Sequence, residues 1–186
     1  MQRKITYITN SFEETQNIAE EFARTLKGGE VLCLYGDLGY GKTTFIQGLA
    51  KGLGIEGRII SPTFIIMRSY KITLNSQISI LNFFHVDLYR INHENEIVDL
   101  GIPDMINKPE NIAAIEWSQN LGKLLPEKRI DIKIEYIDEN KRKITITPLE
   151  GFVGFEDGLN VNVRVDWIYN NKEFNYQASQ HLYNWY

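Results

Sequence analysis

Between Gly36 and Thr43 the chain reads Gly-Asp-Leu-Gly-Tyr-Gly-Lys-Thr, two glycines five apart followed directly by Lys and Thr. This is the phosphate-loop pattern, and it constrains the fold because such a loop works only between a buried strand and the start of a helix. Both flanks comply. Val31-Leu32-Cys33-Leu34-Tyr35 is a continuous apolar run suited to a strand covered on both faces. Behind the loop, residues 44–53 carry apolar side chains at helical spacing and end near Gly54. The loop Gly36-Asp37-Leu38-Gly39-Tyr40-Gly41 then lets backbone N–H groups between Leu38 and Thr43 turn inward around a β-phosphate at the positive end of the helix. Lys42 adds a mobile charge near the β- and γ-phosphates, and the Thr43 hydroxyl is placed for Mg²⁺.

The rest of the chain sets bounds. Its 186 residues are 43% hydrophobic, enough for one domain with a substantial core. Twenty basic against twenty-four acidic residues give a net charge of −4, which argues against autonomous, non-specific nucleic-acid binding. A single cysteine, Cys33, sits in the apolar run before the loop and reads as a small buried side chain. No signal-peptide core or membrane-length segment is present, so cytoplasmic residence is expected.

Element by element, residues 3–9 read as a strand, and Asn10 or Ser11 as the cap of a helix over 12–27 ended by Gly28-Gly29. Pro62 splits the run 59–67 into a loop and a strand, and residues 78–87 read as a strand ending at Asp87. A short charged helix over 93–100 is closed by Gly101-Ile102-Pro103, and Ile112 to Ile115 form a strand ending in Glu116-Trp117. Two β-rich runs, 130–136 and 143–147, make a hairpin around Asp138 to Lys141. Only the phosphate-loop unit has a full helical crossover, so it alone reads as clearly parallel. The fold class is therefore α/β: a three-layer, P-loop NTPase-like core on a mixed sheet with a parallel centre and antiparallel edge strands.

A phosphate loop needs a carboxylate for its metal at a neighbouring strand's C-terminal end. Asp87 and Glu116 stand at two such ends, and either can hold Mg²⁺ or orient the attacking water; an ordinary salt bridge is the alternative for each. His85 reads as a hydrogen-bonded structural histidine, and the three scattered histidines argue against zinc.

Five segments in one order, residues 36–45, Ser61-Pro62-Thr63-Phe64, His85-Val86-Asp87-Leu88-Tyr89-Arg90, Leu100-Gly101-Ile102 and Ile115-Glu116-Trp117, resemble the TsaE (YjeE) family, the small bacterial ATPases of tRNA threonylcarbamoyladenosine synthesis. The resemblance covers roughly residues 5–150. It implies that ATP binds the loop from Gly36 through Thr44, that Thr43 and Glu116 hold Mg²⁺, and that Asp87 assists at the metal or in hydrolysis. Lys42, Asp87 and Glu116 are then the catalytic group. Trp117 would flank the site, and Ser61 and Thr63 would lie on a mobile segment that registers the γ-phosphate. The segment around Ser11 would face the adenine or ribose. ATP is expected over GTP, because no Asn-Lys-x-Asp guanine motif is present.

The resemblance further implies slow, partner-stimulated hydrolysis acting on a TsaD–TsaB complex, contact with tRNA through that complex alone, no membrane association and a monomer in isolation. Two rivals stand beside it. A small-molecule kinase would need an arginine-bearing lid, and residues 91–110 contain no arginine. A nucleotide-dependent binding module would hardly hydrolyse. Residues 1–150 read as the ATPase domain and 151–186 as an aromatic-rich extension packed on it, in which residues 161–167 alternate as a half-buried strand would.

Overall fold

The computed structural model describes residues 3–72 and 82–148, together with the backbone of two further strands at 163–169 and 172–178. In chain order the strands are β1 (Arg3–Thr9), β2 (Val31–Tyr35), β3 (Met67–Lys71), β4 (Asn82–Asp87), β5 (Asn111–Glu116), β6 (Ile130–Tyr136), β7 (Arg142–Thr147), β8 (Val163–Tyr169) and β9 (Lys172–Ala178). The helices are α1 (Phe12–Ala23), α2 (Lys42–Gly52), α3 (Glu94–Asp99) and α4 (Ile102–Ile106), with a 3₁₀ segment at Ser118–Leu124. The strands form one sheet in the order β3-β4-β5-β2-β6-β7-β1-β8-β9.

The sheet is mixed, as the α/β reading requires, but its parallel part is wider than one unit. β4, β5, β2 and β6 all run parallel, and antiparallel pairing sets in at β3 on one side and from β7 onward on the other. Strand residues alternate between two faces, so β2 feeds two cores at once. Leu32 and Leu34 join Ile18, Phe22, Phe45 and Leu49 under α1 and α2. Val31 and Cys33 join Ile97, Ile102 and Leu121 on the opposite face. Every residue of β5 is buried, which places that strand at the centre of three layers.

Helices α1 and α2 touch at backbone distance. A methyl group at Gly48 would lie 2.2 Å from the Gln16 carbonyl oxygen, and one at Gly52 would lie 2.3 Å from that of Glu20. Small residues at this seam hold α2, and hence the loop that starts it, at one height over the sheet.

Several boundaries differ from the sequence reading. Ser11 caps α1 by accepting the Glu14 amide at 3.2 Å, but the helix stops at Ala23 because Thr25 and Leu26 bond three residues back, to Phe22 and Ala23, and tighten the last turn. Gly101 does not simply close α3. Its left-handed φ of 68° turns the chain straight into α4, which the sequence reading lacks. Near the C-terminus β8 pairs with β1, and a second strand, β9, pairs with β8 where a single strand is expected. The part of the expected 78–87 strand before Asn82 lies outside the described residues.

Candidate functional site

Because four neighbouring strands run parallel, their C-terminal ends share one rim. β2 runs out into the phosphate loop, β4 ends at Asp87 and β5 at Glu116, with Asp87 and Glu116 directly paired across the two strands. Gly36 leaves β2 with φ 144°, and a methyl group there would come within 2.5 Å of the Ile134 carbonyl oxygen, so the loop rests on β6 at a point where only glycine fits. Gly41, at φ 103°, hands the chain to α2, which starts at Lys42.

The loop and the two strand ends enclose a cleft of about 330 Å³ lined by Leu38, Gly39, Gly41, Lys42, Thr43 and Thr44 from the loop, and by Ser61, Thr63, Asp87, Tyr89, Glu116 and Trp117. Residues far apart in sequence thus meet. Thr43 Oγ1 donates to Glu116 Oε1 at 2.8 Å, and His85 Nε2 lies 2.9 Å from the same oxygen. Ser61 Oγ donates to Asp87 Oδ2 at 2.7 Å, Thr63 donates to that oxygen as well, and Asp87 Oδ1 accepts the Tyr89 amide at 3.0 Å. Lys42 Nζ donates to the Gly36 and Asp37 carbonyls at 2.7 and 2.8 Å and stands 4.1 Å from the centre of the Trp117 ring.

Burial singles this cluster out. Among the described residues, the buried Lys, His, Asp and Glu side chains are Lys42, His85, Asp87 and Glu116, each at most 4% exposed, and all four belong to this one rim. Burial depresses the Lys42 ammonium, with Glu116, Asp87 and Asp37 opposing the shift through their charge. Buried ionisable groups are costly to keep, so their convergence in a cleft marks a functional site. The donor set suits a hard cation: a hydroxyl and two carboxylates, the arrangement in which Mg²⁺ keeps waters and shares substrate phosphates.

Not every predicted residue reaches the cleft. Ser11 faces its own helix as the α1 cap. Gly36 and Asp37 take part through the carbonyls that hold Lys42, while the Tyr40 ring packs against Tyr136, 6.0 Å between ring centres. Two participants escape sequence reasoning: Tyr89 packs on Trp117 with ring centres 5.0 Å apart, and Arg142 grips the loop from outside. His85, expected as a hydrogen-bonded histidine, finds its partner in Glu116. It stands two residues before Asp87 and so on the same side of β4. Trp117 takes a left-handed backbone (φ 59°, ψ 41°), a conformation uncommon for a non-glycine residue, directly after Glu116 at the edge of the cleft.

A sheet with a phosphate loop at its switch point and acids at two adjoining strand ends defines a nucleotide-binding P-loop protein. The family model for the threonylcarbamoyl adenosine biosynthesis protein TsaE matches residues 9–144, and the chain belongs to that nucleotide-binding family. The tRNA threonylcarbamoyladenosine biosynthesis protein TsaE of Rickettsia bellii is 39% identical over 141 residues, 75% of this chain and 92% of the relative. Its namesake from Bacillus subtilis is 37% identical over 145 residues, 78% and 86% of the two chains. The crystal structure of Bacillus subtilis YdiB superposes with a TM-score of 0.64 at 33% identity, covering 80% of this chain and 87% of that one.

Proposed function

We propose that the chain binds and slowly hydrolyses ATP as a component of the machinery that places threonylcarbamoyl on adenosine 37 of tRNA. The single observation that carries this reading is the convergence of Lys42, Thr43, Asp87 and Glu116 in one cleft, in a chain whose relatives bear the name of that pathway.

Loop amides between Leu38 and Thr43 would cradle the diphosphate, and Lys42 would exchange its carbonyl contacts for phosphate oxygens. Thr43 and Glu116 would hold Mg²⁺, which would offset the charge of the phosphates. Asp87 either completes the metal site or orients the attacking water. Ser61 and Thr63, now held by Asp87, form the segment that registers whether a γ-phosphate is present; Phe64, its ring 4.5 Å from the Arg90 guanidinium, and Ile65 just beyond them are 83% and 55% exposed, where a partner could read that state. The partners are TsaD and TsaB, with hydrolysis resetting their complex between rounds, tRNA touched through that complex alone, and the isolated chain monomeric in the cytoplasm. Among the described residues no helix is long and apolar enough to cross a membrane. We further assign residues 1–150 to the ATPase domain and 151–186 to an extension of it, supported by the pairing of β8 with β1.

The test is ATP turnover by the chain alone and mixed with TsaD and TsaB. A rise of about tenfold or more on mixing is expected for a site completed by its partner, and the Glu116→Ala variant should show no rise. Identical turnover in both mixtures, or phosphate transfer from ATP to a small metabolite, would overturn the reading.

A further inference from the structure

The sequence offers no arginine near the phosphate loop, yet the fold delivers one from a strand start about a hundred residues later. Arg142 opens β7, where it pairs with Thr9 of β1 and Tyr136 of β6. Its Nε donates to the Tyr40 carbonyl at 2.9 Å, and one terminal nitrogen lies 3.5 Å from the Gly39 carbonyl. The other terminal nitrogen donates to the Asp138 and Lys141 carbonyls at 2.7 and 2.8 Å. The guanidinium plane is fixed over the Tyr136 ring, 4.8 Å from its centre, and the Tyr136 ring in turn packs on Tyr40. One side chain therefore bolts the outer wall of the phosphate loop to the β6–β7 hairpin.

The geometry of a trans peptide gives this contact a consequence. In the Tyr40–Gly41 peptide, as in every peptide bond described, the C=O and the N–H point in opposite directions. A carbonyl drawn outward to Arg142 turns the Gly41 amide inward, toward the space where phosphate oxygens are read to bind. A neutral donor could make one such bond; the planar guanidinium reaches the loop and the hairpin at once and adds its charge to the polarised peptide. On the inner wall the loop is already pinned by β6, since Gly36 lies against Ile134. Arg142 closes the outer side.

We infer that Arg142 is a positioning residue for nucleotide binding: it presets the Gly41 amide for the diphosphate before any nucleotide arrives, and it ties the loop's readiness to the β6–β7 turn. The inference rests on the reading of residues 36–44 as the phosphate cradle.

The experiment measures ATP and ADP affinity by calorimetry for the wild-type chain, Arg142→Ala and Arg142→Lys, with thermal melting of each protein free of nucleotide. Arg142→Ala should weaken ATP and ADP alike by about tenfold, because both carry the β-phosphate, and Arg142→Lys by roughly threefold, since an ammonium cannot span both walls. Millimolar guanidinium should restore part of the affinity in Arg142→Ala and none in Arg142→Lys. Affinities within twofold of wild type in both variants, or a loss in Arg142→Ala that guanidinium leaves untouched, would overturn the inference even though wild type binds ATP. Should Arg142→Ala fail to fold, the lysine variant decides alone, an unchanged affinity refuting the role. A wild-type chain that takes up no ATP would instead defeat the phosphate-cradle reading, and this inference with it.

Discussion

The two halves of the sheet do different work. In the parallel half, β4, β5, β2 and β6, every strand delivers its C-terminal end to the same rim, so the loop, Asp87 and Glu116 are brought together by topology alone. In the antiparallel wing, β7, β1, β8 and β9, ends and starts alternate, and what β7 brings to the rim is a turn and its first residue, beside the end of β1. The burial differs in the same sense. β5 is covered on both faces, whereas β7 buries Ile144 and Ile146 and leaves Lys143 to solvent. A parallel centre buried on both sides at β5 gathers reactive groups where water is scarce; a half-solvated wing supports them from outside.

The comparison can be broken at several points. The largest effect is expected at the loop: Lys42→Ala with Thr43→Ala should weaken ATP by about 100-fold or more, roughly 2.7 kcal/mol, in a calorimetric titration. Retained uptake would remove the parallel half's claim to the site. Next comes the seam beneath it. Gly48→Ala would drive a methyl group into the Gln16 carbonyl, and urea unfolding should report a loss of about 2–3 kcal/mol. A change below 0.5 kcal/mol, well within the range of ordinary surface substitutions, would mean that α1 and α2 slide apart freely.

A smaller effect is expected one layer behind the site. His85 is fully buried and its Nε2 lies 2.9 Å from Glu116 Oε1, close enough to donate to the carboxylate, while among the described residues its Nδ1 has no hydrogen-bond partner. His85→Phe keeps much of the ring volume but removes that donor. The Mg²⁺ concentration needed for half-maximal ATP binding should rise about tenfold, as it does when a ligand's orienting partner is lost. An unshifted Mg²⁺ titration at preserved stability would show the pair to be idle. The smallest effect lies in the core: burial pushes the Cys33 thiol up to about 11, so at pH 8 it stays protonated and should resist alkylation in the native chain, while the urea-unfolded chain labels readily.

What could be read from sequence follows the same division. The loop, its strand and its helix are local, and the glycine spacing with apolar runs on either side names them. Asp87 and Glu116 are legible as strand-end acids, because short apolar runs stop at them. The width of the parallel sheet is not, since β4 and β5 are joined to their neighbours by connections that do not resemble a helical crossover. Gly101 reads equally as the end of one helix and the start of another, and its left-handed turn does both. Arg142 is invisible for a plainer reason: its meaning depends on hairpin pairing that carries it across about a hundred residues to Tyr40.

The most direct test is a crystal structure with Mg²⁺ and a non-hydrolysable ATP analogue. The account predicts the polyphosphate inside residues 36–44, a metal about 2.1 Å from Thr43 Oγ1, and the carboxylates of Asp87 and Glu116 on that metal or on its waters. A nucleotide seated elsewhere, or a metal reached by neither carboxylate, would contradict it.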